Sequence, residues 1–122
     1  MAKTILIVDD SASIRQVVSL TLKGAGYDVV DAMDGKDALT KLDGRKINLV
    51  ISDVNMPNMD GITFVKTMKT LPAYKFTPVI MLTTEAGEAK KRDGQMAGAK
   101  AWVVKPFQPA QMLDAVSKLI LP

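Results

Sequence analysis

The sequence predicts an α/β domain built on a doubly wound, five-stranded parallel sheet with five helices. Three observations predict it. Short apolar runs recur five times along the chain: Ile5–Val8, Val29-Val30, Leu49–Ser52, Val79–Leu82 and Trp102–Val104. Stretches of helical period separate them. The runs are almost wholly apolar rather than alternating, as strands buried on both faces are. The order βαβαβαβαβα then implies right-handed crossovers, with helices covering both sides of the sheet.

Each element has its own signal. The first strand, Ile5-Leu6-Ile7-Val8, is β-branched and stops at Asp9-Asp10. Ile14, Val17, Val18 and Leu22 share one face of a first helix, which Gly24 and Gly26 end. Val29-Val30 is the weakest strand. Ala38, Leu39 and Leu42 mark a short second helix between Gly35 and Gly44. The third strand stops at Asp53. Phe64, Val65, Met68 and Leu71 mark a third helix, ended by Pro72. The fourth strand stops at Thr83-Thr84. A fourth helix over 85–97 has poor spacing. It holds Gly87 and Gly94, and each interior glycine costs up to about 1 kcal/mol against alanine, so it is expected to be the loosest. The fifth strand stops at Lys105-Pro106. Met112, Leu113, Val116, Leu119 and Ile120 mark the fifth helix.

The composition bounds the chemistry. At 122 residues the chain makes a single domain over 1–122 and buries roughly two-thirds of its unfolded surface. It contains no cysteine and no histidine. That excludes a disulfide framework, a thiolate nucleophile, a serine-triad base and Cys- or His-ligated metals. Carboxylates, hydroxyls and lysines must do any polar chemistry. The apolar run after Lys3 is too short for a signal peptide, and no run approaches the roughly 20 residues that span a bilayer. A cytoplasmic protein without a membrane partner is expected.

In parallel α/β sheets, ligands bind outside the carboxyl ends of the strands. Those ends deliver Asp9, Asp10, Asp53, Thr83 and Lys105 to one edge. Alone, each has an ordinary reading: Asp9 or Asp10 as a turn or N-cap, Thr83 as a cap, Lys105 as a solvated lysine. Together they form a pattern. Three neighbouring carboxylates repel unless a cation neutralises them, and Mg²⁺ takes hard oxygen ligands. Aspartate can also act as a nucleophile and form an aspartyl-phosphate. A carboxylate, a metal, a lysine and a hydroxyl are the parts that place a phosphoryl group.

Five segments in order carry a family resemblance: Leu6-Ile7-Val8-Asp9-Asp10-Ser11, Ser52-Asp53-Val54-Asn55-Met56-Pro57, Met59-Asp60-Gly61, Met81-Leu82-Thr83 and Val104-Lys105-Pro106-Phe107. With them the chain resembles the receiver domain of two-component response regulators, and within it the single-domain chemotaxis type. The resemblance implies the flavodoxin-like, CheY-like strand order 2-1-3-4-5. It implies Asp53 as the phosphoacceptor. It implies Mg²⁺ held by Asp10, Asp53 and the backbone carbonyl of Asn55, with Asp9 acting through water. Lys105 pairs with the phosphoryl oxygens, and the Thr83 hydroxyl moves to bond them. Trp102 stands at the switch position, which is usually Tyr or Phe in the family. Asn55 and Glu85 stand where side chains tune phosphoryl lifetime. It implies a histidine kinase or a histidine phosphotransfer domain as the donor. The surface of fourth helix, fifth strand and fifth helix takes a downstream protein or a second, phosphorylated copy. It implies a regulatory domain that catalyses only its own phosphotransfer and autodephosphorylation.

Charge separates this reading from its alternatives. Residues 1–61 carry nine acidic and seven basic side chains, and residues 62–122 carry four and nine. The formal charge of +3 therefore sums an acidic half and a basic half. With 5% aromatic residues and no helix-turn-helix pattern, a nucleic-acid partner is not expected. A flavodoxin-like cofactor or nucleotide-binding module would carry a glycine-rich loop after the first strand, where this chain has Asp9-Asp10-Ser11-Ala12-Ser13. An unphosphorylated basic scaffold would ignore Mg²⁺.

Overall fold

The computed structural model, described over residues 3–54, 56, 59–83, 98–104 and 108–120 (Thr83 by its backbone), contains all five strands. They are β1 (Thr4–Val8), β2 (Asp28–Ala32), β3 (Leu49–Asp53), β4 (Val79–Thr83) and β5 (Ala101–Val104). All pairs are parallel, in the order β2-β1-β3-β4-β5. Helices α1 (Ala12–Gly24), α2 (Gly35–Lys41), α3 (Gly61–Lys69) and a C-terminal helix (Pro109–Leu119) flank the sheet. The helix expected over 85–97 lies outside the described residues. No helix among the described residues is long and apolar enough to cross a membrane.

The unbroken apolar runs follow from two cores. Along β1, Ile5 and Ile7 join Val18, Leu22, Met112 and Val116 on one side. Leu6 and Val8 join Ala38, Phe64, Val65 and Met68 on the other. Alternate residues of each central strand thus meet α1 and the C-terminal helix, or α2 and α3. Both faces of the central strands are buried, so their side chains are almost all apolar; Ser52 in β3 is a buried exception and keeps its hydroxyl bonded to a backbone carbonyl.

Three expectations shift in detail. Val17 was placed on the buried face of α1, yet it is 48% exposed. The packed stripe is Ile14, Val18 and Leu22, spaced by four, and Val17 sits about 100° round the helix. The second strand runs from Asp28 to Ala32, longer than its apolar pair, because the ladder with β1 extends in register over all five residues. Pro72 does not follow α3 directly. The helix ends at Lys69, and Pro72 opens a separate 3₁₀ turn, Pro72–Tyr74, at the first position, where its missing N–H costs nothing.

That turn carries a long-range clamp. The Tyr74 hydroxyl accepts from the Gly44 amide at 2.9 Å and donates to the Arg45 carbonyl at 2.8 Å. Tyr74 is buried, and losing its oxygen removes a hydrogen bond from each of the two backbone groups. Tyr74→Phe should cost about 1–2 kcal/mol with an unchanged m-value in urea. Parental stability in that variant would mean that water replaces the hydroxyl at no cost.

Candidate functional site

The register builds the site. The chain steps from β1 outward to β2 and returns to β3 on the other side of β1, so the order reverses between β1 and β3. A crevice forms at such a point, at the carboxyl ends. Val8 is in register with Ser52, so the next residues, Asp9 and Asp53, stand side by side at the carboxyl ends of β1 and β3. Asp9 and Asp53 are buried and Asp10 is exposed. One carboxylate oxygen from each of the three lies within 4.8 Å of the other two.

Local chemistry holds this loop open for the carboxylates. Asp9 keeps its amide in the ladder, donating to the Ala32 carbonyl at 3.1 Å. Its Oδ1 accepts from the Ser11 amide at 2.8 Å, an Asx turn that aims the chain into α1. The cap of α1 is Ser11, whose Oγ accepts from the Ile14 amide; neither aspartate is spent on capping. Arg15, one turn into α1, donates from Nη1 to the Asp9 carbonyl at 2.6 Å and pairs with Asp31 at 3.4 Å. Sequence reasoning missed Arg15. Its only signal was an arginine at the start of a helix whose apolar face lies elsewhere.

The far wall is equally tight. Ser52 Oγ donates to the Asp53 carbonyl at 3.0 Å. The Gly61 amide donates to the Val54 carbonyl at 2.8 Å, and Asp60 caps α3 by accepting from the Thr63 amide at 2.7 Å. Gly61 packs directly on the backbone of Asp53, where any Cβ would collide with the carbonyl oxygen. The glycine is there for close approach, since the loop from β3 to α3 must pass within contact of the strand end.

The donor set suits a hard divalent cation. Three carboxylates from two strand ends, in a chain with no histidine or cysteine, match the oxygen preference of Mg²⁺. Of the other expected site residues, Thr83 ends β4, one residue past Leu82, which is in register with Asp53. Trp102 lies in β5 opposite Met81, half-buried against the core on the α3 side. Asn55, Glu85 and Lys105 lie outside the described residues, as does the side chain of Thr83.

Known proteins resemble this chain in sequence and fold. The family model of the response regulator receiver domain matches residues 5–117. The chain is 39% identical over 119 residues to the chemotaxis protein CheY1 of Helicobacter pylori, covering 96% of this chain and 95% of that one. It is 37% identical over 112 residues to protein PilG of Pseudomonas aeruginosa, covering 92% and 83%. The crystal structure of the chemotaxis protein CheY4 of Vibrio cholerae superposes with a TM-score of 0.94 at 48% identity, covering 98% and 99%.

Proposed function

The chain belongs to the response regulator receiver domain family, and on that premise we propose that Asp53 is the phosphoacceptor of its signalling switch. The protein is a regulatory signalling domain of the chemotaxis type rather than a classical enzyme. The observation that carries the assignment is the meeting of Asp9, Asp10 and Asp53 at the point where strand order reverses.

In the reaction, a carboxylate oxygen of Asp53 attacks phosphorus of a phosphohistidine. A P–O bond forms, the P–N bond breaks, and the imidazole nitrogen of the donor leaves with the electron pair. The chain has no histidine, so the donor is another molecule, a histidine kinase or histidine phosphotransfer domain. Asp10, Asp53 and the Asn55 carbonyl would hold Mg²⁺, with Asp9 acting through water. Bound there, the cation neutralises charge that otherwise repels the incoming phosphoryl group. Lys105 supplies a second positive charge at the phosphoryl oxygens, and the Thr83 hydroxyl supplies a hydrogen bond.

The output follows from that bond. Drawing Thr83 toward Asp53 alters the end of β4, beside β5 and Trp102, and shifts a two-state equilibrium. The surface of segment 85–97, β5 and the C-terminal helix then presents itself to a downstream protein or to a second phosphorylated copy. Asn55 and Glu85 set how an attacking water reaches the phosphoryl group, and so its lifetime. The chain works in the cytoplasm.

The test is phosphorylation by acetyl phosphate with Mg²⁺, read by intact mass. One labile phosphate on the parent and none on Asp53→Asn is the expected result. An unmodified parent, or equal yield in the variant, overturns the assignment. Separately, beryllofluoride with Mg²⁺ should change Trp102 fluorescence; a constant signal means that Trp102 stays in place when the site fills.

A further inference from the structure

The end of the sheet opposite the carboxylates carries a second cavity. It lies where β3 and β4 begin, has a volume of about 320 Å³, and is lined by residues 44–48 together with Ala73, Tyr74 and Thr77. Two of its lining residues, Arg45 and Lys46, are cations, and no carboxylate lines it. We infer that this cavity, with Arg45 and Lys46 in its lining, binds a small phosphorylated anion.

The walls are preformed. Ile47, Asn48, Tyr74 and Thr77 are all buried. The Tyr74 hydroxyl ties the loop before β3 to the turn before β4, and Asn48 Oδ1 accepts from the Thr4 amide at 2.9 Å. The Arg45 guanidinium is held in place. Its Nε and Nη2 donate to Asp43 at 3.0 Å each, and this contact lowers the Asp43 carboxyl to about 2. A guanidinium has five N–H donors, so this chelate orients the group and leaves donors for a ligand.

Arg45 and Lys46 bring two positive charges to the cavity, and Asp43, bonded to Arg45 just outside the lining, offsets one of them. Lys69 Nζ donates to the carbonyl of Thr77, a wall residue. Burial and the neighbouring Lys100 push the Lys69 ammonium below its ordinary range. The volume sits at the low end of small-molecule sites, about 300–1,000 Å³, so it fits a small molecule rather than a chain segment. Arginine beside lysine, both presenting N–H donors, suits a phosphate-bearing ligand with two or more negative charges. The site is independent of Asp53 and of Mg²⁺.

The test is a ¹⁵N amide-shift titration of the whole chain with sodium pyrophosphate in EDTA, which keeps the carboxylate site out of play. Saturable shifts confined to residues 44–48 and 73–77 are expected. The double substitution Arg45→Gln with Lys46→Gln should weaken binding at least about tenfold, the scale of one charge-assisted hydrogen bond, while thermal unfolding shows that the variant is folded. Shifts that do not saturate, or equal shifts around Lys23, Lys36 and Lys118, would reduce the effect to general charge and overturn the inference. So would parental affinity in the double variant. Succinate binding as tightly as pyrophosphate would overturn the phosphate class.

Discussion

Gly61→Ala should destabilise the protein by about 3 kcal/mol and slow phosphorylation of Asp53 at the same time. The added Cβ would overlap the Asp53 carbonyl oxygen and lie 2.9 Å from the Asp53 carbonyl carbon and 3.0 Å from Val54 Cα. All three are backbone atoms, so no flexible side chain can swing aside. Relief requires the loop from β3 to α3 to retreat, which breaks the 2.8 Å bond from the Gly61 amide to the Val54 carbonyl. The strand end that carries the phosphoacceptor moves with it. Gly24→Ala is the matched control. Gly24 is the last residue of α1, and a Cβ there meets nothing within 4 Å. Its expected effect is a gain of up to about 1 kcal/mol. Urea denaturation of both variants checks the pair, and equal stabilities would show that the close approach at Gly61 is not there.

Asp10→Ala should have opposite effects with and without Mg²⁺. Asp10 is the exposed member of three carboxylates that lie within 4.8 Å of one another. Removing one like charge relieves repulsion, so in EDTA the variant should be more stable than the parent by about 1 kcal/mol; solvent screening keeps the figure small. In Mg²⁺ the order should reverse. A ligand at a hundred times its dissociation constant stabilises the folded state by about 2.7 kcal/mol, and the variant loses most of that gain with its ligand. Thermal unfolding in EDTA and across a Mg²⁺ series measures both terms. A variant that is less stable than the parent in EDTA, or equally stabilised by Mg²⁺, removes the case for a shared cation.

How far the sequence could be read depends on the distance over which each feature is determined. The strands were legible because burial on both faces forces whole runs such as Ile5–Val8 to be apolar. The cap of α1 was harder. Asp9, Asp10 and Ser11 are all good capping residues, and only the path of the chain shows that Ser11 does it. Val17 was misjudged because a helix has two flanks, and the periodicity of four residues does not say which flank the neighbouring C-terminal helix covers. The clamp from Tyr74 to Gly44 and Arg45 was invisible, since a tyrosine thirty residues from its partners leaves no local signal.

By itself the sequence determined the α/β class, the absence of thiol and imidazole chemistry, and which residue types stand at the strand ends, because these follow from composition and from periodicity within a few residues. Only the tertiary structure decided that Asp9 and Asp53 become neighbours, through the pairing of Val8 with Ser52. Only it decided that Gly61 must touch Asp53, and that residues 44–48 line a cavity with Ala73, Tyr74 and Thr77 at the opposite pole. The physical reason is the same in each case. Hydrophobic patterning acts along the chain and is written in it, whereas strand register, close backbone approach and the summed field of distant charges arise only when segments far apart in sequence are brought together.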